Sequence, residues 1–274
     1  MRTIYHYTGL KAFMKIIEAG RIRATHYRDF DDKEELRLGV RLLLDAVKQR
    51  SVEPRDREYH DFLVNGIEGF AEGRLPVYVL SLTEMRDSPH HWQKYARSGV
   101  AIGFCRDRIQ QGFPIDISRR VPGMNVDNPV RPDPANRFMQ CRYVSSFDLT
   151  EVVSRRFFTA NSYPAAFRNQ HARTNIAMHA CLSMSIYQTI CAIKGPGFFE
   201  DAEWRCVHVN PDVEEYPVKT EDNREFIEMQ FTPADFVREV WVGPHSRRQE
   251  CEDIIESLRL KGLLRCSAAV SSLR

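Results

Sequence analysis

Short β-type runs recur from one end of the chain to the other, with helical stretches of uneven length between them. That spacing departs from the regular strand–helix alternation of a doubly wound parallel sheet. It predicts an α+β fold with a mostly antiparallel sheet or split sheets and flanking helices. Strands are expected at residues 3–7, 21–25, 77–82, 100–105, 204–209, 226–231, 239–242 and 264–270, bounded by turn residues. Leu10, Phe13, Ile16 and Ile17 sit at helical spacing, with Thr8 where an N-cap would stand and Gly20 as the stop. Further helices are expected over 33–48, 149–158, 163–194 and 246–261. Another is marked by Tyr59, Phe62, Leu63, Ile67 and Phe70. Ser88 followed by Pro89 starts a helix that carries Trp92, Tyr95 and Ala96 and ends at Gly99, because proline at the first helical position loses no needed hydrogen bond. Pro114, Pro122, Pro129, Pro132 and Pro134 interrupt residues 106–137, which read as an insertion or lid loop. Residues 211–225 read as a charged loop.

A chain of 274 residues is expected to form one domain, 1–274, that buries its core without covalent staples. A hydrophobic share of 43% and a charged share of 28% fit a soluble globular class, and a net charge of +2 selects no partner. The seven cysteines are odd in number and contain no C-x-x-C, which argues against a disulfide framework and a zinc ribbon. The first residues show no long apolar run and no small-residue cleavage site. The longest apolar stretch, 176–193, is broken by His179, Ser183, Ser185, Gln188 and Thr189, as a buried helix would be. The expected setting is the cytoplasm, with no membrane partner and no metal.

Three segments could carry chemistry. In Tyr5-His6-Tyr7-Thr8, His6 and Thr8 share one face of an extended strand. Together they could hold a ribose hydroxyl and an amide, or they could be a core histidine and a capping threonine. Ser81 and Thr83 leave the strand at 77–82, and after Asp87 the next helix brings Trp92 and Tyr95 onto one face, three residues apart. Two such rings could wall a planar ligand, although packing accounts for at least one of them. Adjacent helical positions do not share a face, which argues against His90-His91 as a metal pair. In the third segment Asp201 and Glu203 stand two apart at the start of a strand, hence on one face. Paired carboxylates can raise one pKa or flank a cationic centre, and a solvated acidic turn is the plainer reading. No P-loop, G-x-G-x-x-G, G-x-S-x-G or H-E-x-x-H is present.

Taken in order, Tyr5-His6-Tyr7-Thr8, Asp31-Asp32 with Glu35, Ser81 through Asp87 to Trp92 and Tyr95, Gly99 before an apolar strand, Glu203-Trp204-Arg205, and Val240-Trp241-Val242-Gly243 resemble the bacterial family known as domain of unknown function 2971. The resemblance spans nearly the whole chain. It departs at Asp31-Asp32-Lys33, where the family often reads Asn-Asp-Pro. A looser layout, His-x-Thr on the first strand, aromatics after a middle strand and a late glutamate, is similar to that of the ADP-ribosyltransferases.

That second resemblance implies an ADP-ribosyltransferase-like core and an NAD-consuming transferase, in the role of a toxin or phage-defence effector. His6 would hold the adenosine ribose, helped by Tyr7, Thr8 and Ser81. Trp92 or Tyr95 would stack on nicotinamide, Glu203 would engage the nicotinamide ribose, and Asp201 would orient the acceptor. The acceptor would be a protein or nucleic acid. For the latter, Arg155, Arg156, Arg168 and Arg173, interleaved with Phe157, Phe158 and Tyr163, offer a basic, stacking segment that could equally be a solvated helix face. Two other classes stay open: a non-catalytic nucleotide- or protein-binding module, and a hydrolase using His6 and Glu203 as acid and base.

Overall fold

The computed structural model describes residues 2–30, 33–73, 75–116, 130–132, 136–143, 157, 176–209 and 217–273. The fold is mixed α/β, with a mostly antiparallel open sheet and flanking helices. Its strands are β1 (Thr3–Thr8), β2 (Arg21–His26), β3 (Val77–Thr83), β4 (Val100–Cys105), β5 (Pro114–Asp116), β6 (Val130–Pro132), β7 (Asn136–Gln140), β8 (Arg142–Tyr143), β9 (Ile193–Lys194), β10 (Glu203–Val209), β11 (Lys219–Glu221), β12 (Arg224–Gln230), β13 (Val237–Val242) and β14 (Ala268–Val270). The helices are α1 (Leu10–Ala19), α2 (Lys33–Lys48), α3 (Arg57–Ala71), α4 (Pro89–Tyr95), α5 (Arg106–Gln111), α6 (Ile176–Ala192), α7 (Pro233–Phe236) and α8 (Arg248–Leu260).

Chain contacts divide these elements into two compact units. The first comprises Met1–Thr25, Tyr78–Gln140 and Asp201–Arg274. Its sheet runs β11-β12-β2-β3-β1-β4-β13-β14, with β10 pairing both β3 and β7. The ladder of β1 against β4 is regular, from Thr3 opposite Cys105 to Thr8 opposite Val100. One face of the sheet carries the main core. There Ile4, Leu80, Leu82, Ile102, Phe104, Trp204 and Cys206 pack with Phe13 and Ile17 of α1, Ile109 of α5, Phe236 of α7 and Ile255 of α8. The opposite face carries a smaller cluster in which Tyr5, Tyr7 and Ala101 meet Trp92 and Ala96, with Trp241 and Leu273 alongside.

The second unit, His26–Val77 with Cys141–Glu200, packs α2, α3 and α6 together and holds the short parallel pair β8–β9. Tyr27 anchors it by donating to the Phe70 carbonyl at 2.6 Å, and Tyr59 by donating to the Phe157 carbonyl at 2.8 Å.

Local sequence explains most boundaries. Gly20 closes α1 with φ 58°, a left-handed conformation that glycine reaches without a Cβ clash. Gly99 follows α4 because a Cβ there would stand 2.1 Å from the Thr8 carbonyl oxygen. Thr8 does not cap α1. It completes β1, and Gly9 stands at the cap position with no side-chain bond. Residues 106–137 are not wholly irregular, since α5 opens them and Phe113 is buried in the core. The end of the expected charged loop forms the hairpin β11–β12, whose turn residues Asp222 and Asn223 take φ of 51° and 60°. The arginine-rich segment 151–174, apart from Phe157, lies outside the described residues, as do Asp31 and Asp32.

Candidate functional site

The chemistry-bearing groups of the first unit gather on the sheet face that carries Tyr5 and Tyr7. Ser88 accepts from the His91 N–H at 3.4 Å and Pro89 occupies the first turn, so α4 starts where the sequence predicts. The helix then presents His90, His91, Trp92 and Tyr95 in different directions. Trp92 points inward and is 2% exposed. Its Nε1 donates to Asp87 Oδ1 at 2.7 Å, and its ring meets Tyr7 edge-on at 4.7 Å. Trp92 is therefore a structural ring, not a ligand wall. Tyr95, by contrast, is 49% exposed, with Lys94 Nζ 5.0 Å from its ring centre.

His90 Nε2 lies 3.0 Å from Asp201 Oδ1, a contact between residues 111 positions apart. Asp201 is buried, and its carbonyl accepts from the Thr83 hydroxyl at 2.6 Å. It does not belong to β10. It ends a 3-10 turn, and Ala202, with φ 41°, bends the chain into the strand. Glu203 is the first strand residue, 7% exposed, and its Oε1 accepts from Arg205 Nε at 2.7 Å. Because Trp204 and Cys206 belong to the main core, alternation turns Glu203 and Arg205 to the opposite face. Neither carboxylate is the solvated turn that its spacing also allowed.

Electrostatics tie these groups together. Partial burial pushes the Tyr95 hydroxyl above its ordinary pKa; Lys94 opposes this, and the carboxylates of Asp201 and Glu203 add to it. Burial lowers His91 to about 4, against a pull upward from Asp201. The His91 ring stands 5.1 Å from Tyr7 and 5.9 Å from Tyr95, and its Nδ1 lies 2.9 Å from the Ser88 hydroxyl oxygen. His91 is thus a neutral imidazole at physiological pH.

Several expected site residues stand elsewhere. His6 is opposite Ile102 in the β1–β4 ladder, on the main-core face with Ile4. Alternation along β1 places it across the sheet from Tyr7, and so away from Glu203. Burial holds its pKa below the ordinary histidine value, with a backbone hydrogen bond at Ser81 opposing. Thr8 is buried at the end of the same strand. Tyr7 is on the site face but serves as a strut. Its hydroxyl donates to the Met85 carbonyl at 2.8 Å, lies 2.9 Å from the Arg86 carbonyl, and accepts from the Ser88 N–H at 3.2 Å. Burial pushes that hydroxyl up to about 12. Ser81 is exposed on β3.

His90 and His91 are site residues that helical spacing alone did not select. They enter through a single strand-to-helix turn placed against a segment more than a hundred residues away. Among the described residues, no group of three or more His, Cys, Asp and Glu could hold a metal ion. No helix among them is long and apolar enough to cross a membrane.

No family model matches the chain, no curated protein matches it, and no solved structure matches it.

Proposed function

We propose that the chain is an NAD-consuming transferase of the ADP-ribosyltransferase kind, working from the Tyr95–Glu203 face and not from His6. The observation that carries this reading is the contact of His90 with Asp201, together with the half-exposed Tyr95 whose hydroxyl the carboxylates of Asp201 and Glu203 help to push up. Departure of nicotinamide breaks the bond between its ring nitrogen and the ribose C1′, and positive charge develops on the ribose. A carboxylate fixed beside that centre stabilises the charge, as preorganised groups do in other glycosyl transfers. Glu203 is fixed by Arg205, so it needs little reorganisation as the charge forms. Tyr95, half-exposed, offers ring area for stacking beside Lys94. In this reading the His90–Asp201 pair takes the proton of an incoming acceptor, a protein or nucleic acid, as a general base.

The same His90–Asp201 pair favours a second reading, hydrolysis, in which water replaces the acceptor. Turnover of a substrate that lacks nicotinamide separates the two, and binding without turnover would indicate a nucleotide-binding module.

The test mixes purified protein with NAD and candidate acceptors and measures free nicotinamide. Wild type should release it. Glu203→Gln should lower the rate roughly 100- to 1,000-fold at a temperature where its circular dichroism is still that of wild type, with a lower melting temperature because Arg205 loses a buried partner. Equal release by both proteins would contradict the role given to Glu203.

A further inference from the structure

A cavity in the first unit shares no residue with the Glu203 cluster. It measures about 270 Å³ and is lined by Arg108, Ala234, Asp235, Val237, Arg238, Arg265 and Cys266. Its three arginines arrive from separate segments: α5, the start of β13, and the turn between α8 and β14.

Each arginine is placed by a local feature. The register of β13 against β4 shifts between Val237 and Glu239, and such a bulge re-aims the intervening side chain, here Arg238. Arg238 then reaches Cys105 Sγ at 3.6 Å, which fixes one edge of its guanidinium. Arg265 Nη2 stands 3.3 Å from Asp235 Oδ1, which orients its fork at the opposite wall. Arg108 lies on α5 directly after Cys105.

We propose that this cavity binds a small phosphate-bearing ligand through Arg108, Arg238 and Arg265. Forked guanidinium donors match the oxygens of a phosphate in geometry and charge, which a lysine cluster or an apolar pocket does not. The volume sits at the small end for ligand pockets, so it suits a phosphate with a modest appendage and not a polymer backbone laid across a surface. Burial opposes ionisation of Cys105, yet the Arg108 N–H, the Arg238 guanidinium and the Asp107 N–H outweigh it and hold the pKa below the ordinary thiol value.

The full chain can be titrated calorimetrically with inorganic phosphate at constant ionic strength, with sulfate and chloride as comparison anions. Saturable phosphate binding is expected, sulfate should compete, and chloride should not. Arg108→Gln and Arg265→Gln, both at exposed positions, should each weaken phosphate about tenfold, and the double variant should lose it, with unchanged melting temperatures in chloride buffer. Absence of saturable phosphate binding by wild type would overturn the site. So would equal affinity in the double variant, or competition by chloride at the same concentration as sulfate.

Discussion

His91 illustrates how much a single position settles. It is buried between Tyr7 and Tyr95, and its pKa falls to about 4 from an unperturbed 6.5. The neutral ring is the native form, whereas the unfolded chain takes up a proton as pH drops below 6.5. Between those two values the unfolded state binds more protons, so stability is fully present above pH 6.5 and is lost as pH falls towards 4. The loss is on the order of 3 kcal/mol across that window. Denaturant unfolding at several pH values should show it, and His91→Gln should flatten the slope. An equal slope in both proteins would mean that His91 is not held neutral. Asp87 acts beside it. Burial raises its pKa, but bonds from the Ser271 hydroxyl, the Trp92 indole and Ser272 outweigh burial and hold the carboxyl below its ordinary range. These bonds couple the end of the chain to the ring that supports α4.

At the scale of elements, α4 is held by a close approach of backbones. The Gly99 carbonyl accepts from the Gly243 N–H at 3.0 Å and from the Ser246 hydroxyl at 2.7 Å, while its α-carbon lies against Thr8. Gly99→Ala should therefore force β1 and the α4–β4 turn apart and cost about 1–3 kcal/mol, read as a lower melting temperature. An unchanged melting temperature would contradict that packing.

These elements also show what a linear reading reaches. Ser88-Pro89, Gly20 and the apolar runs of β3, β4 and β10 announce themselves because their signals are local: a cap, a left-handed glycine, a buried strand. The capping role expected of Thr8 fails because tertiary pairing extends β1 through it. The hairpin β11–β12 was hidden because its turn, Asp222-Asn223, sits in a run of charges that reads as loop.

For the whole molecule, the order of strands decides the site, and that order is not sequential. β10 pairs with β3, which brings Asp201, just ahead of Glu203, against His90 in the first turn of α4. Sequence spacing paired Asp201 with Glu203 and Trp92 with Tyr95 in two separate segments, and gave no link between the two. It could not tell which side of the sheet His6 takes, because an alternating strand with aromatic residues on both sides of a histidine offers no polarity signal. The ladder with β4 resolves it, since His6 faces Ile102 and its neighbours Tyr5 and Tyr7 face Trp92. The two tyrosines flanking the histidine thus support the site face, and the histidine belongs to the core side.

The most direct measurement is a titration of protein carrying ¹⁵N-labelled histidine with NAD, followed through the imidazole resonances. Binding at the Tyr95–Glu203 face should shift the His90 and His91 rings and leave His6 unmoved. A shift of His6 with His90 and His91 unchanged would place the ligand on the other side of the sheet and contradict the assignment of the site.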